Sequence, residues 1–250
     1  MTKYTTSLAF VERFPFEIWK IVVDPDSQQF AVELRHPDST TPILYRLDFT
    51  GRIKLNHKEI TPKEWTLDHI YGEQLILKKV GEQQPVKEGI LILDRLGNER
   101  FCTYEHVLVA VEDNYLIMRH RNFQTGFETY LNLDTLEKEP AKTPQKNNVG
   151  HAPLVLPVPY YGNRPSYLDH VTKEEFIWLS RHEDHYLWSY HSKGNDGYSL
   201  NLCLADTSKI LYEQCLLKDM PKMIPQPYFQ IGNQLFLLSY NKQEIVSYLL

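Results

Sequence analysis

Five stretches of this chain follow one plan: a β-branched or aromatic run, a short polar turn, and a second such run. They are "VVDPDSQQFAVELRH", "HIYGEQLILKKV", "AVEDNYLIMRHR", "SRHEDHYLWSYH" and "FQIGNQLFLLSYN". Alternating runs bounded by Gly, Asp, Asn and Pro are the signature of strands, and helical periodicity is almost absent. The repeat therefore confines the chain to an all-β fold built from hairpins.

With Val32, Leu75, Leu116, Leu187 and Leu235 as equivalent positions, the successive spacings are 43, 41, 71 and 48 residues. Three of these match the length of a propeller blade, and the long one carries an insertion over about 141–170. A second hairpin follows each of the first four stretches, turning at Asp48, Asp94, Asp134 or Asp206. An aspartate suits such a turn because its carboxylate accepts bonds from nearby backbone N–H groups. Two hairpins make a four-stranded blade, which buries its faces only by stacking on neighbours. The last stretch supplies three strands, and the N-terminal "TSLAFVE" is placed to add the fourth. The expected fold is one five-bladed β-propeller over residues 1–250, closed by pairing of the N-terminal and C-terminal strands and leaving no open edge there. A six-bladed propeller that uses the insertion, and a two-sheet sandwich, are the alternatives.

The repeat and its Asp-x-x-Gly turn, as in "LDFTGRI", resemble the generic blade of β-propeller proteins over nearly the whole chain. The chain also resembles a bacterial family of about this length. Neither resemblance brings functional residues with it, since propellers serve as enzymes, lectins and protein-binding platforms alike. The regular Trp-Asp endings of the WD class are missing.

At 250 residues and 42% hydrophobic content the chain can bury a large core as one domain. A net charge of −5 gives no global attraction to polyanions, so no nucleic-acid partner is expected. No run of about 18 apolar residues exists for a membrane span, and the N-terminus lacks the apolar region and cleavage site of a signal peptide. Cys102, Cys203 and Cys215 are an odd number without C-x-x-C spacing, which reads as reduced thiols of a cytoplasmic protein.

Two Thr-x-x-Glu pairs, Thr61 with Glu64 and Thr172 with Glu175, precede first strands and suggest a single helical turn there. In the insertion, Pro144, Pro153, Pro157, Pro159 and Pro165 argue against a central strand, while "LVLPV" suits an edge strand of the third blade. The remainder is expected to lie over one face.

"SRHEDHYLWSYH" is the stretch richest in potential ligands, yet His185 aligns with the turn formers Gln28, Glu73, Asn114 and Asn233. His182 and Glu183 flank the same turn. A hairpin with no third ligand is a poor tetrahedral zinc site, so no metal is assigned. His191 differs, since it aligns with His36 and His120 at the end of the second strand, where Lys79 and Ser239 also fall. With Arg35, Lys78, Arg119, Arg121 and Lys193 these residues form an expected broken ring of basic groups on one face. The strand starts on that face are aromatic: Trp19, Trp65, His106, Phe176 with Trp178, and Tyr228. Tyr160, Tyr161 and Arg164 of the insertion are placed to lean over them. An aromatic floor with a basic rim suits a sugar, a nucleotide or an acidic peptide, although rings at strand starts commonly just pack between sheets.

Catalytic signatures such as G-x-S-x-G, H-E-x-x-H and the P-loop are missing. Asp68, Glu105 and Asp184 are carboxylates of suitable type, but separations cannot be read from the chain. Asp68 and His69 are adjacent on an inner strand and are expected to point to opposite faces. The expected function is a non-catalytic propeller that binds a small anionic ligand or partner protein through one face, with no cofactor. The alternative is a carbohydrate- or phosphoester-acting hydrolase with Asp68, His69, Arg181 and His182 in an axial channel.

Overall fold

A computed structural model describes residues 5–79, 88–139, 153–171 and 176–250. Strand β1 (Ser7–Arg13) opens the chain. The first sheet is β2 (Ile18–Asp24), β3 (Gln29–Arg35), β4 (Pro42–Asp48) and β5 (Ile53–Glu59). The second is β6 (Trp65–Tyr71), β7 (Gln74–Lys79), β8 (Ile90–Leu93) and β9 (Glu99–Thr103). The third is β10 (His106–Glu112), β11 (Tyr115–His120), β12 (Glu128–Asn132) and β13 (Lys138–Glu139). Two short strands, β14 (Leu154–Val155) and β15 (Val158–Pro159), and a 3-10 turn at Ser166–Leu168 follow. The fourth sheet runs β15, β16 (Ile177–His182), β17 (His185–Lys193), β18 (Tyr198–Ala205) and β19 (Ile210–Met220). The fifth runs β1, β22 (Glu244–Leu249), β21 (Gln234–Leu238), β20 (Phe229–Ile231) and β14. The protein is thus all-β, with five open antiparallel sheets and no α-helix among the described residues.

The chain divides into two compact units, Phe16–His151 with the first three sheets, and Met1–Pro15 together with Ala152–Leu250 with the other two. Within the first unit, β7 buries Leu75 and Leu77 against Ala31, Leu44 and Leu55 of the first sheet. Its alternate residue Ile76 is buried against Leu116, Met118 and Leu131 of the third. A strand covered on both faces has no polar side to show, which is why "LIL" at residues 75–77 reads as a continuous apolar run. In the second unit, Leu187, Leu200 and Leu202 pack on Leu235, Leu237 and Val246.

β1 pairs antiparallel with β22 from Ser7↔Leu249 to Arg13↔Glu244, so N-terminal and C-terminal strands share the fifth sheet. Of the four second-hairpin turns, three hold as expected. Asp48, Asp94 and Asp206 accept backbone N–H bonds from Thr50 and Arg52, Leu96 and Asn98, and Ser208 and Lys209. In the third sheet Asn132 takes that role, accepting from the N–H groups of Asp134 and Thr135, and frees Asp134 to accept from the Tyr71 hydroxyl. Residues 61–64 form a turn and no helix. Thr172 and Glu175, and the insertion through residue 152 with Pro144, lie outside the described residues.

"LVLPV" departs from expectation. β14 pairs with β20 and β15 with β16, so these residues extend the fifth and fourth sheets and not the third. Leu168 and Val171 then cover one face of the fourth sheet, against Trp188, Tyr190 and Cys203.

Candidate binding edge

In the first unit, β2, β6 and β10 each carry a β-bulge at the same level: between Ile18 and Lys20, Leu67 and His69, and Leu108 and Ala110. Counted from the bulge, Phe16, Trp65 and His106 are equivalent, as are their cross-strand neighbours His36, Lys79 and His120. Trp65 pairs with Lys79 and His106 with His120 in the ladder. The rings of Phe16 and His36 lie 4.9 Å apart and those of His106 and His120 5.6 Å apart. Trp19 is a bulge residue and not a strand start, and the extra residue leaves its indole 68% exposed. Re-aiming one side chain is the usual consequence of a bulge.

The histidines at this edge have a local task. His36 Nδ1 accepts from the N–H groups of Asp38 and Ser39, and His120 Nδ1 from that of Asn122. Each ring caps the turn after its strand as an Asx side chain does, which explains why histidine recurs there. Arg35 is a strut: it donates to the carbonyls of Thr40, Lys63 and Trp65, with its Nη2 2.5 Å from Glu33 Oε1. Its guanidinium carbon also lies 5.9 Å from the Trp19 ring centre. Lys79 Nζ stands 5.4 Å from the Tyr104 ring, which lies 5.9 Å from Trp65. Arg121 reaches the Tyr104 carbonyl, and Arg119 keeps a buried Nε without a partner. Beyond His120, Phe123 and Phe127 pair at 4.8 Å and are 45% and 76% exposed. The result is a band of accessible rings along one edge of three sheets, in which Trp19, Tyr104 and Phe123 each stand beside a cation or imidazole, while Trp65 is buried beneath it.

The second unit places Trp178, Tyr228 and His191 inside, whereas Phe176 and Lys193 stay exposed. Trp178 pairs with Ser189, a ladder position equivalent to those of Ile18, Leu67 and Leu108 and not to that of Trp65, and is buried. Tyr228 is 1% exposed and shares a hydrogen bond with Ser180 Oγ at 2.8 Å. His191 is 1% exposed, accepts from Ile224 N–H at Nε2, and packs on Trp178 at 5.4 Å. Burial pushes its pKa down to about 4, so it is a neutral core group and not part of a basic rim. Tyr160 packs against Trp188, Arg164 donates to the Val171 carbonyl, and Tyr161 is exposed.

The histidine-rich stretch is a hairpin, with one correction. Counted from the aligned leucines, its ladder runs one pair further toward the turn than in the second, third and fifth sheets: His182 pairs with His185, and Glu183 and Asp184 make the turn. Glu183 takes the left-handed φ of 51° that Gly72, Asp113 and Gly232 take elsewhere. Among the described residues no three His, Cys, Asp or Glu side chains gather to hold a metal ion.

Asp68 and His69 also depart from expectation. The bulge cancels the alternation of adjacent residues, and His69 Nδ1 lies 2.6 Å from Asp68 Oδ2. Lys78 Nζ is 2.6 Å and Lys20 Nζ 3.7 Å from Asp68 Oδ1. Burial alone would raise the Asp68 carboxyl, but hydrogen bonds from His69 and Lys78 hold it well below the usual carboxylate range. Arg181 and His182 belong to the second unit, where Arg181 stacks on Tyr186 and His182 Nδ1 accepts from Gln230.

Phe16, Lys20, Tyr104, Phe123 and Phe127 join this edge without having been singled out in the sequence. Phe16 stands two residues before Ile18 as Trp65 stands before Leu67, a signal visible once the bulge is known. Tyr104, Phe123 and Phe127 sit in connections whose path the strand repeat does not encode. No helix is long and apolar enough to cross a membrane among the described residues. Neither a protein-family model nor a curated protein matches this sequence.

Proposed function

We propose that the five sheets are the blades of one five-bladed propeller and that the protein is a non-catalytic binding module. Its ligand is an acidic segment of a partner protein, taken up along the edge of the first unit. The propeller reading is supported by the shared strand order, by sheets stacking through apolar faces within each unit, and by β1 lying beside β22. The binding reading rests on one observation: Trp19, Tyr104, Phe123 and Phe127 stay exposed while Arg35 and Lys79 stand against two of those rings. Exposed rings beside cations offer stacking and charge together, as recognition of an acidic, partly apolar segment requires.

Trp19 provides the readout, because Trp65, Trp178 and Trp188 are all buried. Titration with acidic, tyrosine-containing peptides should change tryptophan fluorescence in the wild type and not in Trp19→Phe. Measured by calorimetry, the variant combining Trp19→Ala, Lys79→Gln and Phe127→Ala should lose at least about tenfold in affinity, the scale of one hot-spot residue. Unchanged affinity in a folded triple variant rejects this reading. The hydrolase alternative is favoured only by the Asp68–His69 contact, and its other two residues, Arg181 and His182, are engaged within the second unit.

A further inference from the structure

The bulge shared by β2, β6 and β10 carries Trp19 and Lys20 in the first sheet, Asp68 and His69 in the second, and Val109 and Ala110 in the third. In the second sheet alone it bears two ionisable side chains, and Lys20 from the neighbouring bulge reaches them. The carboxylate lies at the back: the Asp68 side chain is 9% exposed, whereas Lys20, Lys78 and His69 are 35%, 45% and 44% exposed. Both ammonium groups converge on one oxygen of Asp68 and the imidazole takes the other. A single carboxylate therefore gathers two lysines and one histidine and offsets only one of their charges. Each ammonium has three donors, so donors remain for a second acceptor. With its Nδ1 committed to Asp68, His69 has Nε2 left to donate when protonated.

We propose that Lys20, Lys78 and His69 form a binding site for a phosphate-class oxyanion, pre-organised by Asp68 behind them. The layout excludes a cation, because the acid is covered and the basic groups face outward. It favours a tetrahedral dianion, which can accept from three converging donors at once. The positive potential that keeps Asp68 ionised acts on any anion arriving from solvent. This site shares no residue with the exposed rings of the binding edge, and it requires no turnover.

The test is a titration of the full chain with inorganic phosphate at low ionic strength, followed by the NMR signals of the His69 ring and by calorimetry. Saturable binding that moves the His69 signals is expected. Lys78→Gln should weaken it about tenfold or more, the scale of a lost charge-assisted hydrogen bond. Lys20→Gln, a substitution of a partly exposed side chain that leaves Asp68 paired, should weaken it severalfold. Glycerol phosphate in a parallel titration separates the sources. Tighter binding than phosphate points to an ester, and equal binding points to the free ion. Absence of saturable binding in the wild type, or unchanged binding in both folded lysine variants, overturns the proposal. Trp19→Ala with Phe127→Ala should leave phosphate binding intact, so failure of the peptide-binding reading and failure of this one are distinguishable.

Discussion

His191 shows how one residue's role depends on where its strand ends. It aligns with His36 and His120, yet those two cap turns in half-exposed positions while His191 is enclosed beside Trp178 and Ile224. A buried neutral imidazole with a pKa near 4 takes up its proton far later than the unfolded chain, where the ordinary value is 6.5. Between those values the unfolded state binds more protons, so stability is fully present above about pH 6.5 and falls as pH drops towards 4. One such group gives a slope of up to about 1.4 kcal/mol per pH unit. Urea midpoints measured from pH 7 to 4 should fall more steeply for the wild type than for His191→Gln. Parallel curves would mean that His191 is protonated in the fold. Burial also raises the Cys203 thiol to about 12, which leaves it the least reactive of the three free cysteines.

At the scale of elements, the turns were legible and the bulges were not. Asp48, Asp94 and Asp206 tie their hairpins as an aspartate at each turn implies, because the interaction reaches no more than four positions along the chain. The third sheet moved the task to Asn132, whose Oδ1 accepts two N–H groups and whose amide donates to Glu139. Asn132→Ala should therefore cost about 1 kcal/mol in chemical unfolding, and Asn132→Asp distinctly less, since a carboxylate keeps the accepting oxygen. Equal losses would show that the donated bond to Glu139 matters more than the turn. The bulges arise from register between two strands, and an alternating pattern in one strand carries no mark of them. That is why Asp68 and His69 read as facing opposite ways and yet meet at 2.6 Å. A ladder that runs one pair further toward the turn than in the second, third and fifth sheets moved His185 out of the turn for the same kind of reason.

For the whole molecule, the five-bladed proposal makes a measurable demand. A compact chain of 250 residues has a radius of gyration of about 18 Å. X-ray scattering in solution should return a value near that and a profile that does not change with dilution; a value several ångström larger means units strung apart and rejects the closed ring. By itself the sequence determined the all-β class, the five hairpins with their turns, and a spare N-terminal strand that now lies beside β22. These follow from two-residue alternation and turn chemistry, which act over a few neighbouring residues. Only the tertiary structure decided which basic and aromatic residues stay outside. Trp178, Tyr228 and His191 vanish into a core, β14 and β15 join sheets other than the expected one, and Lys20 meets Asp68 from a neighbouring sheet. The physical reason is that burial and charge pairing depend on what the next sheet presents. That partner lies tens of residues away and leaves no local trace in the chain.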